Sequence, residues 1–192
     1  EVLATLPAAE WAGGFAEALK TGLLRGGALH ELAVGWPAGQ GDAASRAALV
    51  RLCASVKTRV IVEDPTERGV RATLNLGHTI GHGIEAAAGY GGLSHGACVA
   101  IGLVQALRLS EELRGLDPAL RPAVEAALAR QCLPLVADGI DPERVWDAMR
   151  GDKKRVGGRQ RLVLLEAVGR PVWGVEVPDA LLRDAVARAC GG

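Results

Sequence analysis

The stretch from His95 to Leu113, HGACVAIGLVQALRLSEEL, constrains the fold of this chain more than any other. Ser94 just before it is a helix-capping residue, and the apolar residues that follow run nearly all round the middle of the predicted helix. A helix that is apolar on every side must be surrounded, so the rest of the chain has to supply neighbours for it. At 192 residues there is enough chain for one domain with a sizeable core, or for two small ones. Hydrophobic residues make up 49% of it but aromatics only 3%, which favours close-packed helices touching through small side chains over an aromatic-rich sandwich.

The remaining pattern supplies those neighbours. EWAGGFAEALKTGLL (Glu10 to Leu24) reads as a helix despite its glycines, ended by Gly26-Gly27. Leu32 to Gln40 reads as a loop. Asp42 is placed to cap a helix running to about Val56, after which RVIVEDP reads as a short extended piece stopped by Pro65. Gly77 to Ala88 predicts a helix ending in the glycine cluster GYGG. Asp117-Pro118 and Asp141-Pro142 mark two further helix starts. RLVLLEAVG and PVWGVEV predict a hairpin turning at Gly169-Arg170, with a last helix from about Asp179. The expected fold is mainly α: a multi-helix bundle with one small β-hairpin near the C-terminus.

Several functions are disfavoured at once. Net charge is zero with no basic block, so there is no electrostatic footprint for nucleic acid or an anionic membrane. No apolar run reaches the roughly 18–20 residues of a membrane span. The start, EVLATLPAAEW, has neither the basic end nor the apolar stretch of a signal peptide, and the expected compartment is the cytoplasm. Cys53, Cys98, Cys132 and Cys190 form no CxxC pair; three sit among apolar neighbours in helix-like segments, which favours small buried hydrophobes. No glycine-rich loop follows a strand and no βαβ alternation occurs, so a dinucleotide-binding fold is not encoded here.

Three of the four histidines fall in LNLGHTIGHGIEAAAGYGGLSHG (Leu74 to Gly96). His78 and His82 are four apart and share a helix face, and His95 opens the next helix, which can return antiparallel after the GYGGLS turn. Three imidazoles can then converge on a divalent transition metal such as zinc. The pair is not HExxH, because Thr79 follows His78, so the zinc-protease motif is excluded. If one histidine handles protons instead, a carboxylate should complete the ligand set. Glu17 is the candidate, three residues ahead of Lys20; spacing alone does not separate that role from an ordinary i, i+3 ion pair.

Lys57, Asp64, Glu67, Arg71 and Asn75 form a second cluster, with Glu67, Arg71 and Asn75 spaced by four. Cations aimed at a metal pocket would suit an anionic substrate, carboxylate or phosphate; the competing reading is a solvated charged face. Lys153 and Lys154, in GDKKRVGGRQRLVLL, precede a glycine turn, where a KK pair is ordinarily just solvated.

Together these pieces resemble the C-terminal metal-binding domain of the 3-dehydroquinate synthase family. The resemblance covers nearly the whole chain, from Thr5–Gly22 through SVKTRVIVEDPTERGVRATLNLGHTIGHGIE and SHGACVAIG to GDKK and RLVLLEAVG. It implies a dehydroquinate synthase-like α domain with Glu17, His78 and His95 as ligands of Zn2+ or Co2+. His82 would be a non-ligand histidine that handles protons near the substrate phosphate. Lys20, Lys57, Arg71 and Asn75 would contact substrate, Glu67 would be an acidic residue of the same pocket, and Lys153 or Lys154 would be the lysine of the family's DKK motif.

The reaction so implied belongs to the shikimate pathway of aromatic amino acid biosynthesis. It is a lyase reaction that turns 3-deoxy-arabino-heptulosonate 7-phosphate into 3-dehydroquinate and phosphate, with NAD+ used and regenerated. The family's NAD-binding N-terminal domain is absent from this chain. The chain alone is therefore expected to be inactive, with residues 1–192 forming the metal- and substrate-binding domain beside an NAD domain, in a homodimer when complete. Two departures stand out: Ala97 replaces a carboxylate that commonly follows HG, and Thr21 replaces an aromatic. The rivals are sister sugar-phosphate cyclases of the 2-deoxy-scyllo-inosose or 2-epi-5-epi-valiolone synthase type, a metal-dependent polyol dehydrogenase, and a non-catalytic helical module. The polyol dehydrogenases usually carry Asp at the Glu17 position and lack the Lys57-to-Asn75 cluster.

Overall fold

A computed structural model of the chain describes residues 2–67, 69–89, 92–151 and 160–192. Its elements are α1 (Ala8–Arg25), α2 (Gly27–Val34), α3 (Ala43–Glu63), α4 (His78–Ala88), α5 (His95–Arg114), α6 (Leu120–Arg130), α7 (Pro142–Gly151), β1 (Gln160–Ala167), β2 (Arg170–Val177) and α8 (Asp179–Ala189). Short 3-10 turns occupy Val2–Thr5 and Val70–Asn75. The mainly helical reading holds, and the antiparallel pair β1–β2 is the predicted hairpin.

The all-apolar helix is the axis of the fold. From Gly96 to Ser110 every residue of α5 is buried except Arg108. Its Ala100, Leu103, Val104 and Leu107 join a core built with α1, α2 and α6, while Cys98, Ile101 and Leu109 join a second core with α4, α7, the hairpin and α8. One helix thus walls two cores, which is why its sequence has no polar face. Its single fully buried hydroxyl is spent on the hairpin. Ser110 Oγ donates to Ala106 O at 2.6 Å and accepts from Leu165 N at 2.9 Å, where the ladder opposite Pro171 is irregular.

Local signals set most boundaries. Asp42 Oδ1 accepts from Ala44 N and Ser45 N, and Ser94 Oγ accepts from Ala97 N. Asp117 and Asp141 each accept a backbone N–H two residues on, from Ala119 and Glu143. Gly26, at φ +71, ends α1 as expected. Gly169 turns the hairpin at φ +78, and its N–H reaches Leu23 O at 2.8 Å, docking the hairpin tip on the end of α1.

Three expectations are corrected. RVIVE is not extended: α3 runs unbroken through it to Glu63. The β-branched triplet Val60-Ile61-Val62 has low helix propensity, but a helix already nucleated and capped at Asp42 propagates through it. Pro65 still ends it, by forcing Asp64 out of the helical region to φ −138 and ψ 76. The expected loop from Leu32 starts later, because α2 follows α1 directly and continues to Val34. Of the cysteines only Cys98 is buried; Cys53 and Cys190 are half-buried and Cys132 is exposed. Among the described residues no helix is long and apolar enough to cross a membrane.

Candidate metal centre

Three helices deliver the site. α1 carries Glu17 and Lys20, α4 carries His78 and His82, and α5 begins at His95. Glycines let these helices approach closely at those positions. Gly96 lies against Gly13, one turn before Glu17, and Gly81 and Gly77 lie against the backbone of Cys98 and of Gly102-Leu103.

The three rings converge. Their centroids are 5.2 Å apart for His78–His82, 5.6 Å for His78–His95 and 5.8 Å for His82–His95. One nitrogen from each lies within 4.8 Å of the others. Glu17 reaches the same point: its Oε1 is 3.3 Å from His78 Nε2 and 3.9 Å from His95 Nε2. Two donor sets therefore share His78 and His95, completed by Glu17 or by His82.

Hydrogen bonds behind the rings fix what faces inward. His78 Nδ1 lies 3.1 Å from Leu76 O, and His95 Nδ1 lies 3.0 Å from Glu85 Oε2. A carbonyl and a carboxylate only accept, so both Nδ1 atoms carry a proton, and in its neutral form each ring presents a bare Nε2. Both bare nitrogens point at Glu17 Oε1, which is buried and accepts no hydrogen bond of good geometry. Lone-pair atoms 3.3 Å apart repel unless a proton or a metal cation lies between them. A tetrahedral zinc with bonds of about 2.0 Å has ligand atoms about 3.3 Å apart, so the His78–Glu17 spacing fits such an ion, while His95 Nε2, at 3.9 Å, stands wider.

Glu17's other oxygen is held by Lys20, whose Nζ donates to Oε2 at 2.8 Å and stands 3.5 Å from His78 Nε2. Burial, the largest single influence, would raise the Glu17 carboxyl; with His78 protonated on Nε2 as well, its hydrogen bond and charge together with the Lys20 charge outweigh it and hold it down to about 2. Lys20 is 2% exposed, and burial lowers its ammonium from the ordinary value, with Glu17 opposing and Lys57 adding to the shift.

The second cluster opens onto the same cleft. Glu17, Lys20, Lys57, Glu67, Arg71, Leu74, Asn75, His78 and His95 line one pocket. Asp64 Oδ2 accepts from Gly69 N at 2.8 Å and Arg71 N at 3.0 Å, folding the segment after α3 back on itself. Glu67, at φ +56, accepts from Asn75 Nδ2 at 3.0 Å and lies 3.9 Å from Arg71 Nε. A non-glycine residue in that backbone region at a cleft is characteristic of a functional segment. Three cations thus face a pocket whose rim holds the convergent histidines, a combination suited to an anionic ligand that also touches a metal.

His82 is exposed, beside the other two rings but not among the residues lining that pocket. Lys153 and Lys154 lie outside the described residues. Ala97 is buried in the first turn of α5, and Thr21 is buried with its hydroxyl donating to Glu17 O at 2.7 Å. Nothing in the sequence singles out Glu85, although it lies two helical turns from His78 on the same face of α4. An exposed acid in a helix looks like solvated surface, and only the antiparallel return of α5 reveals its contact.

The family described as 3-dehydroquinate synthase C-terminal matches residues 14–155. The 3-dehydroquinate synthase of Shewanella loihica is 39% identical over 191 residues, covering 97% of this chain and 53% of that protein. That of Azotobacter vinelandii is 41% identical over 189 residues, covering 94% and 50%. The chain spans about half the length of the relatives it matches. Among solved structures, 2-epi-5-epi-valiolone synthase from Streptomyces hygroscopicus subsp. jinggangensis, with NAD+ and Zn2+ bound, superposes with a TM-score of 0.81 at 22% identity, covering 97% of this chain and 53% of that one. 2-Deoxy-scyllo-inosose synthase, complexed with carbaglucose-6-phosphate, NAD+ and Co2+, gives 0.78 at 22%, covering 96% and 53%. At that identity the two structures establish the fold, and the family match over well over half of its length establishes the rest: the chain belongs to the 3-dehydroquinate synthase C-terminal family.

Proposed function

We propose that this chain is the metal- and substrate-binding half of a 3-dehydroquinate synthase, a lyase that forms 3-dehydroquinate and phosphate from 3-deoxy-arabino-heptulosonate 7-phosphate in the shikimate pathway. The observation that carries the reading is Glu17 Oε1, buried without a good hydrogen bond and faced by two bare imidazole nitrogens beside three cations. Glu17, His78 and His95 would hold Zn2+ or Co2+. Glu17 is preferred to His82 as the third ligand because its oxygen is buried and otherwise unmatched, whereas His82 is exposed. When bound, the metal supplies Lewis acidity and NAD+ supplies a hydride acceptor.

The chain's own residues do the rest. Lys20, Lys57 and Arg71 bind the carboxylate and phosphate of the sugar phosphate and fix it in one pose. Glu67 orients Arg71 and Asn75 towards the cleft, and His82, at its edge, takes up and returns protons. Lys153 or Lys154, of the GDKK motif, supplies a further substrate contact. NAD+ is held mainly by an N-terminal domain lying outside residues 1–192, and the complete enzyme is a cytoplasmic homodimer. The 2-deoxy-scyllo-inosose and 2-epi-5-epi-valiolone synthases share the fold, but the relatives at 39% and 41% identity carry the dehydroquinate synthase name. The test is an assay with substrate, Zn2+ and NAD+. The chain alone should give no sustained product, and the chain joined to a family NAD-binding domain should give 3-dehydroquinate. Turnover by the chain alone, or none by the joined protein, overturns the reading.

A further inference from the structure

We propose that Glu85 is a positioning residue for the metal centre, the group that orients His95 and fixes which of its nitrogens is bare. The proposal rests on the metal reading above and adds a residue to it.

The two shared histidines are held very differently. His78 is mostly buried, and its Nδ1 donates to a main-chain carbonyl, Leu76 O, at 3.1 Å; no side-chain change removes that partner. His95 is the first residue of α5 and its side chain is 48% exposed, so packing does little to choose its rotamer. The ring contact at its back is Glu85 Oε2, 3.0 Å from Nδ1, supplied from the antiparallel neighbour α4. Turn the ring over, or move the proton to Nε2, and the face towards Glu17 Oε1 no longer offers a lone pair. A carboxylate behind a metal-facing imidazole holds ring and tautomer together and raises the basicity of the other nitrogen. Glu85 lies two turns along α4 from His78, so a single helix supplies one imidazole directly and sets the orientation of another.

The competing account is an ordinary exposed ion pair, which would leave metal binding untouched. The experiment is a Zn2+ titration of the whole chain against a competing chromophoric chelator, for wild type, Glu85→Ala and Glu85→Gln, with circular dichroism melts to verify folding. Glu85→Ala should weaken Zn2+ binding by about 10- to 100-fold, the usual loss for an outer-shell partner. Glu85→Gln, whose amide oxygen still accepts from Nδ1–H, should recover most of that loss. Nitrogen-15 NMR of the metal-free chain supplies an independent readout: His95 should carry its proton on Nδ1 in wild type and lose that preference in Glu85→Ala. Unchanged affinity in Glu85→Ala, or equal losses in both variants, overturns the proposal. If wild type binds Zn2+ no better than Glu17→Ala, the metal reading itself fails; the NMR comparison then decides the role of Glu85 separately.

Discussion

Gly13 and Gly96 meet backbone to backbone: a Cβ placed on Gly96 would stand 2.1 Å from Gly13 Cα. This contact sets how near α1 comes to α5, and two of the proposed metal ligands hang from it, Glu17 one turn beyond Gly13 and His95 adjacent to Gly96. Gly96→Ala must push the helices apart, an overpacking that costs about 1–3 kcal/mol. In a chain of this size that is roughly 2–4 °C of Tm for each kcal/mol. Zn2+ affinity should fall with it, since Glu17 Oε1 and His95 Nε2 already stand 3.9 Å apart. Gly14→Ala is the control: nothing lies within 4 Å of its Cβ position, and alanine at this exposed position of α1 should stabilise the helix by about 0.5–1 kcal/mol. Thermal melts of both variants, read beside metal titrations, test the pair.

The α4–α5 contact adds a backbone constraint to the close approach. Gly77 precedes His78 at φ +76, and its Cβ would meet Leu103 N at 2.8 Å. Gly77→Ala therefore suffers both a strained backbone and a clash, and should destabilise by more than Gly96→Ala, with the His78 ring displaced. A Tm equal to that of wild type would contradict this account of how α4 is seated.

Which residue completes the metal set can be decided by paired variants. Glu17→Ala should lower Zn2+ affinity by more than the roughly 100-fold that bounds the loss of an outer-shell partner, whereas His82→Ala should retain stoichiometric metal. Metal analysis after dialysis against a weak chelator distinguishes them. The reverse ranking would assign the site to the three histidines.

Acid should expose the cost of the Glu17 environment. Its carboxyl is held down to about 2, against an ordinary value of 4.5, so it binds protons less readily folded than unfolded. Its contribution, on the order of 1–3 kcal/mol, is fully present above the unfolded value and is lost as pH falls from about 4.5 towards 2. In the metal-free chain the stability difference between wild type and Glu17→Gln should therefore shrink steadily across that window. Urea melts between pH 3 and pH 6 measure it; a difference that grows as pH falls would reverse the sign and refute the assignment.

Much of this was legible in the sequence for identifiable reasons. α5 could be read because walling two cores leaves no polar face, and the caps at Asp42 and Ser94 because short polar side chains satisfy orphan N–H groups locally. The convergence of His78, His82 and His95 followed from helical spacing and one glycine turn. What escaped depends on partners distant in sequence. Val60-Ile61-Val62 is strand-like by itself and helical only because α3 is already running. Gly13 and Gly96 look like weaknesses in two helices until those helices are seen to touch. Glu85 shares a helix face with His78, but its hydrogen-bonding partner is on another helix.

The segment between α3 and α4 offers the last test. Asp64 is largely buried and its Oδ2 accepts from both Gly69 N and Arg71 N, so the carboxylate, rather than regular secondary structure, shapes the loop that presents Arg71. Asp64→Ala leaves two backbone donors without that acceptor, at about 1–3 kcal/mol for the buried group, and frees Arg71 to move. In the enzyme completed by an NAD-binding domain, Arg71→Ala should lower kcat/KM by roughly 10- to 100-fold through one lost charge-assisted hydrogen bond. Asp64→Ala should reproduce much of that loss although it is absent from the residues lining the cleft. Zn2+ affinity should be unchanged in both, because neither touches Glu17, His78 or His95. An Asp64→Ala enzyme with normal kcat/KM would show that Arg71 is placed without the loop's carboxylate.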